Sequence, residues 1–187
     1  ITDDMNGSTR STTTPDMGAI EFTPSGSALS GPYTIGTDGD YTTFQSARDE
    51  LVAKTISGPV IFNIISGTYD EPLLLDEVLG ASATNTITFQ SADANADSVI
   101  WENTANSSTT NYVLKLIGTD HITLKNITFK NLGTSYSQQI VLFGVTDSVT
   151  IDSSKFVGTV TNSNSANHTS IWGNGADAAA LKIKNNT

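Results

Sequence analysis

Short stretches in which apolar and polar residues alternate recur along this chain at nearly regular intervals. Ile122-Thr-Leu-Lys-Asn-Ile-Thr-Phe129, Val149-Thr-Ile-Asp-Ser-Ser-Lys-Phe156 and Leu181-Lys-Ile-Lys-Asn-Asn-Thr187 share the frame apolar-x-apolar-x-(Asn/Ser), at offsets of 27 and 32 residues. A second stretch precedes the first two at a constant distance: Val113-Leu-Lys-Leu-Ile117 and Ile140-Val-Leu-Phe-Gly144, again 27 apart. Upstream, Val60-Ile-Phe-Asn-Ile64 and Ile87-Thr-Phe-Gln-Ser91 fit the same frame, 27 and 35 residues ahead of the next member. Alternation with period two marks a strand with one buried face, and recurrence at such spacings marks a solenoid. The pattern therefore predicts a parallel β-helix whose like strands stack about 4.8 Å apart. Leu124, Ile151 and Ile183 should stack inside, and Asn126, Ser153 and Asn185 at one corner, where Asn tolerates left-handed backbone. A β-sandwich would not explain why two strands repeat in one register.

A solenoid needs a cap over its first open coil. Phe44, Ala47, Leu51 and either Val52 or Lys54 fall at helical spacing behind Asp40 and Thr42 or Thr43 as N-caps, which predicts a capping helix over about 41–55. Gly58-Pro59 should end it and Val60 should open the first strand. Ser25 to Pro32 reads as a linker, and residues 33–187 as the cap and first coils of a solenoid cut at its C-terminus. Residues 1–24 differ in kind, with a turn and short strand at Pro15–Phe22.

Composition narrows the function classes. The 187 residues include 28 Thr, 21 Ser and 15 Asn, a palette suited to strands and turns and poor for helical bundles. Hydrophobic residues at 37% still allow a packed core. A net charge of −10 is the wrong sign for a nucleic-acid groove or an anionic membrane surface. There is no cysteine, and His121 and His168 are far apart, so neither a Cys-based nor a His-rich metal site is expected. No apolar run approaches the roughly 18 residues of a membrane span.

Two segments carry a resemblance to known proteins. DDMNGSTR and TPDMGAIEF (within 3–22) resemble the closing segment of β-helix domains in large secreted Bacteroidetes proteins. GPYTIGTDGDYTTFQSARDELVAKTISGPVIFNIISGTYDE (31–71) resembles the opening of the same kind of domain. An ending followed by a beginning implies tandem modules of a giant, repetitive cell-surface adhesin of the gliding-motility type, exported by type IX secretion. The resemblance implies an all-β, right-handed parallel β-helix with a short N-terminal capping helix. It also implies an extracellular location, neighbouring copies of the module as partners, and surface polysaccharide as a contact.

The scaffold is also similar to pectate lyases and pectin methylesterases. Lyases of that kind use an Arg base, but Arg10 and Arg48 both precede the coils. In the esterases a Gln, then a Gln-Asp pair after a Phe-x-Gly turn, then a further Asp and an Arg act together. Gln138 or Gln139 matches the first Gln, yet Phe156-Val-Gly158 is followed by Thr-Val-Thr-Asn. No catalytic residue is therefore assigned, and no cofactor is expected unless calcium. Asp120 and Asp147 occupy equivalent positions, which would bring their carboxylates to roughly 5 Å across one coil step. That suits two calcium ligands or a retaining glycosidase pair, while Asp is also simply a good turn residue. Asp3, Asp4 and Asn6 resemble a calcium loop without its later Glu. Tyr112, Tyr136 and Trp172 are candidate stacking platforms for sugars, whereas Trp101, after Val99-Ile100, is either a platform or core. By family resemblance, Asp97-Ser-Val and Asp147-Ser-Val make Ser98 and Ser148 candidates for O-glycosylation. Thr86-x-Thr88 is not followed by a flat Thr-x-Thr ladder, which argues against ice binding. The leading expectation is a structural and adhesive module without turnover. The alternative is the N-terminal part of a polysaccharide-degrading lyase, hydrolase or esterase with its active coils beyond residue 187.

Overall fold

The computed structural model describes residues 26–159, 167–177 and 180–187, with side chains left out for 174–177. The closing segment expected over 1–24, with Asp3, Asp4, Asn6 and Arg10, lies outside the described residues. Fourteen strands and one helix follow in chain order: β1 (Leu29–Ile35), α1 (Phe44–Lys54), β2 (Ile56–Ile64), β3 (Gly67–Asp70), β4 (Leu73–Asp76), β5 (Ile87–Ser91) and β6 (Val99–Asn103). Then come β7 (Leu114–Ile117), β8 (Ile122–Lys125), β9 (Thr128–Asn131), β10 (Ile140–Val145), β11 (Thr150–Asp152), β12 (Lys155–Gly158), β13 (Ile171–Asp177) and β14 (Lys182–Lys184). Three parallel sheets run side by side along one axis: β1-β2-β5-β8-β11-β14, β3-β6-β9-β12 and β4-β7-β10-β13. Four successive coils contribute one strand to each sheet, and β1 and β14 extend the first sheet at its two ends, so the described chain is a parallel β-helix. No helix among the described residues is long and apolar enough to cross a membrane.

The inward columns follow from period-two alternation. In the first sheet Leu124, Ile151 and Ile183 are register partners, as the repeat predicts; Leu124 and Ile151 are fully buried, but Ile183, expected inside, is 52% exposed in the last strand of the sheet, where no further coil among the described residues covers it. Phe62 and Phe89 stack with ring centroids 4.8 Å apart. In the second sheet Tyr69, Trp101, Phe129 and Phe156 occupy successive coils. The corner after the first sheet is turned by Asn126, Ser153 and Asn185, at φ 55°, 51° and 56°. That conformation aims the Asn126 and Ser153 amides along the axis, onto the carbonyls of Asp152 and Lys184 one coil on. The sequence reading missed a matching ladder ahead of the strands, His121, Ser148 and Ala180, with φ 56°, 54° and 65°. Nothing in those residue types marks left-handed backbone as Asn does.

The helix forms where its apolar spacing placed it. Thr43 is the N-cap, in a capping box with Ser46, and Phe44, Ala47 and Leu51 are buried against the coils. Glu71 of the first coil reaches its N-terminus, with Phe44 N–H donating to Oε2 at 3.0 Å. Burial pushes the Glu71 carboxyl up, partly opposed by the hydrogen bonds from the Phe44 and Gln45 amides. Two boundaries need correction. The helix ends at Thr55, not at Gly58-Pro59, which lie inside β2. There β2 carries two extra residues against β1, since Leu29 pairs with Ile56 but Gly31 with Val60, and this irregularity absorbs a proline without a ladder amide. Leu29–Pro32, read as linker, belong to β1, because β2 offers them a parallel partner and Leu29 is buried.

Two asparagines point into the core at the end of the second sheet. Asn103 and Asn131 are register partners, 1% and 0% exposed. Asn131 donates through Nδ2 to the Gln138 carbonyl at 3.1 Å and accepts from the Gly133 amide at 3.0 Å. Asn103 donates to the carbonyls of Thr110 and Tyr112 and accepts from Ala105. Each holds one loop between the second and third sheets.

Besides its backbone ladder, the last coil is tied to the preceding one through the Asp152 carboxylate. Asn185 Nδ2 donates to Asp152 Oδ1 at 3.0 Å, and Lys184 Nζ lies 3.1 Å from Oδ2. The Asn185 bond, followed by Lys184, holds the Asp152 carboxyl below its usual range. A carboxyl with a lowered folded pKa adds stability above its unfolded value of about 4, and that stability is lost as pH falls through the folded value. Amide exchange in Lys182–Lys184 is therefore expected to accelerate relative to β8 below about pH 4, as read by hydrogen-exchange mass spectrometry.

Candidate functional site

With the interior filled, any ligand must be met on one of three outer faces. The first sheet presents Thr88, Thr123 and Thr150 as successive register partners, with Lys125, Asp152 and Lys184 in the neighbouring row. The two-residue Thr-x-Thr spacing of Thr86 and Thr88 is not repeated, since Ile122 and Thr123, the partners of Ile87 and Thr88, follow His121 and not a threonine. The threonine row is a single column beside charged residues.

On the second sheet, Asp70, Glu102 and Lys130 follow one another in register. Lys130 Nζ lies 2.7 Å from Glu102 Oε2, and Asp70 accepts from the Thr104 amide at 3.0 Å and from its hydroxyl. A cavity of about 120 Å³ beside them is lined by Glu102, Asn103, Thr104, Lys130 and Leu132. The sequence points to Asp120 and Asp147 as carboxylates one coil apart, and no motif marks the Asp70–Glu102 pair, whose spacing of 32 residues is one of several intervals in an uneven repeat.

The third sheet differs from both. Leu74, Lys115, Val141 and Trp172 form one outward row, and Asp76, Ile117 and Phe143 part of the next. Phe143 and Val145 are 39% and 61% exposed. Lys115 Nζ lies 5.0 Å from the centroid of the Phe143 ring and 6.0 Å from that of Tyr112. Burial pushes the Tyr112 hydroxyl up. Asp76, in the same row as Ile117 and Phe143, is tied to Arg48 at 2.9 Å.

The predicted residues distribute as follows. Tyr112 and Trp172 come to the third sheet and its edge, together with Lys115 and Phe143, which the sequence reading had not singled out. Tyr136 does not join them: it is half-buried in the loop between β9 and β10, its amide donating to Asn106 Oδ1 at 3.1 Å. Trp101 is core, at 0% exposure. Ser98 and Ser148 are half-buried in the turns before β6 and β11. Gln138 and Gln139 are buried, and Gln139 Nε2 donates to the Val157 carbonyl at 3.2 Å. Arg48 binds Asp49 and Asp76.

Asp120 Oδ1 accepts the Asp147 amide at 2.6 Å, so this carboxylate links two coils through the backbone. Among the described residues no group of three or more His, Cys, Asp or Glu is arranged to hold a metal ion. Asp120→Ala is expected to lower stability by about 1 kcal/mol. Neither calcium nor a chelator should move the melting temperature of the unmodified chain; a rise with calcium would reinstate Asp120 and Asp147 as ligands.

No family model matches the sequence, and no curated protein matches it. Two crystal structures of pectin methylesterase from Aspergillus niger, one penultimately deglycosylated and one deglycosylated, are similar in fold, each with a TM-score of 0.46 and 16% identity. They cover 88% and 86% of this chain and 78% and 77% of their own. The β-helix assignment stands on the three parallel sheets themselves, and a likeness of this size adds no functional argument.

Proposed function

We propose that this chain is a structural and adhesive module of a large secreted cell-surface protein, a stiff β-helical segment that contacts surfaces or glycans. The observation that carries this reading is the contrast among the outer faces. Backbone ladders run along the axis in all three sheets, acidic side chains on the first two faces are engaged across coils, and the third face carries Phe143, Val145 and Trp172 around Lys115. The adhesin kinship, the extracellular location and the neighbouring copies as partners rest on the sequence segments quoted above. The test is incubation of the purified chain with insoluble polysaccharides. Retention without reducing ends, unsaturated uronate or methanol in the supernatant is expected; release of any of these products overturns the reading.

The second reading is the N-terminal part of a polysaccharide-degrading β-helix enzyme. The row Asp70–Glu102–Lys130 beside its cavity favours it, since two carboxylates at such a step can act as acid and nucleophile. The complete gene separates the two readings: many copies of the cap-and-coil unit support the module, and one copy followed by Arg, Asp and Glu clusters supports the enzyme.

A further inference from the structure

We infer that the outer face of the third sheet is a binding platform for an uncharged linear polysaccharide, laid across the coils. The inference rests on the adhesive reading and names its surface and ligand class. Exposed apolar side chains gathered on neighbouring strands mark an interaction site: Phe143 and Val145 are exposed, with Tyr112 and Trp172 half-buried beside them around a buried Val141, whereas Val157 on the second sheet pairs with Lys130 and Ile183 on the first lies between Lys182 and Lys184. The outward rows of those two sheets carry Lys125, Asp152 and Lys184, or Asp70, Glu102, Lys130 and Lys155.

The chemistry of the platform selects a sugar chain. Phe143 and Trp172 lie on adjacent strands, Trp172 opposite Val141 and Phe143 two residues along from it. Tyr112 is joined to them through Lys115, whose ammonium lies 6.0 Å from the Tyr112 centroid and 5.0 Å from that of Phe143. An ammonium held between two rings restrains both, so part of the platform is set before a ligand arrives. Ring faces accept the C–H faces of pyranoses, and the ammonium hydrogens left free can donate to hydroxyls. Strands about 4.8 Å apart give a period of about one sugar residue, so successive rings can rest on successive coils.

Charge decides against an acidic polymer. The chain carries −10, and on this face the ammonium of Lys115 is shared with two rings while Asp76 is neutralised by Arg48. A polyanion would meet a net repulsive field with one engaged cation to offset it.

The experiment is affinity electrophoresis and pull-down of the purified chain with three probes: a soluble neutral β-glucan, alginate and dextran sulfate. Retardation by the β-glucan, unchanged between low and about 0.5 M salt because stacking is not screened, is expected. Trp172→Ala and Phe143→Ala should each weaken it about tenfold, since one removes a half-buried and the other an exposed ring from this face. Thr123→Ala on the first sheet should leave it unchanged, and circular dichroism and melting temperature identify any variant that has failed to fold. Should one of the two fail, Lys115→Ala replaces it, with the same loss expected. Retention of wild type by alginate or dextran sulfate alone and lost in salt overturns the uncharged ligand. Equal binding by wild type and the folded ring variants overturns the platform while leaving adhesion standing. Concentration-dependent dimers abolished by Trp172→Ala, without glucan binding, would show that the face serves a second copy. Product release would instead remove the adhesive reading itself.

Discussion

Trp101→Ala is expected to lower the unfolding free energy by about 4 kcal/mol, the upper range for truncating a buried aromatic residue. Trp101 is fully buried and stacks on Phe44 of the capping helix, with centroids 3.8 Å apart and planes at 10°. Its edges meet Phe89 and Phe129 at 6.3 and 5.8 Å. The indole N–H donates to the Glu71 carbonyl at 2.8 Å, on the residue whose carboxylate receives the helix N-terminus. One side chain thus ties the cap, the first coil and the next two coils. Truncation leaves a cavity that the stacked backbones cannot collapse to fill, because neighbouring coils fix one another's height. Urea titration followed by circular dichroism measures the effect. Trp101→Phe should recover most of it, lacking mainly the hydrogen bond, at about 1 kcal/mol. A midpoint unchanged in Trp101→Ala would mean that the cap helix does not depend on this stack.

The second large effect is expected at the buried asparagine pair. Asn131→Ala strips a partner from two backbone groups in the core, the Gln138 carbonyl and the Gly133 amide. At about 1–3 kcal/mol for a buried polar group left unsatisfied, here the Gly133 amide, a loss of about 2 kcal/mol is expected, with Asn103→Ala similar. Asn131→Asp should not rescue it, since a carboxylate cannot donate to a carbonyl and a charge would be buried. Thermal melting checks the magnitude. Hydrogen exchange should place the new opening in the loop of residues 132–139; exchange that rises equally in all coils would contradict a local holding role for Asn131.

These residues show where sequence reading succeeds and where it stops. The column Leu124, Ile151, Ile183 and the corner Asn126, Ser153, Asn185 were legible because each sits in an alternating run of one frame. The capping helix was legible because Phe44, Ala47 and Leu51 keep helical spacing behind a threonine cap. Asn103 and Asn131 were not, since an Asn at a strand end reads equally as an exposed turn residue; only burial distinguishes them. The site followed the same division. Tyr112 and Trp172 could be named as exposed aromatics, but Lys115 and Phe143 look like ordinary strand residues until β7, β10 and β13 are set side by side. Asp120 and Asp147 are neighbours as their equivalent positions imply, and only the tertiary structure shows that the Asp120 carboxylate accepts the Asp147 backbone amide.

Period-two alternation and the repeat interval by themselves determined which strand faces turn inward and that like strands stack, because both depend on the local pleat and on the near-constant path length of one coil. Tertiary structure alone decided which outward side chains become neighbours. Those pairs are set by register across loops of unequal length, so that Lys155 reaches Asp97 from 58 residues away and Lys130 reaches Glu102 from 28. A one-residue change in any loop would leave the alternation intact and alter the spacing that a reader of the sequence must follow.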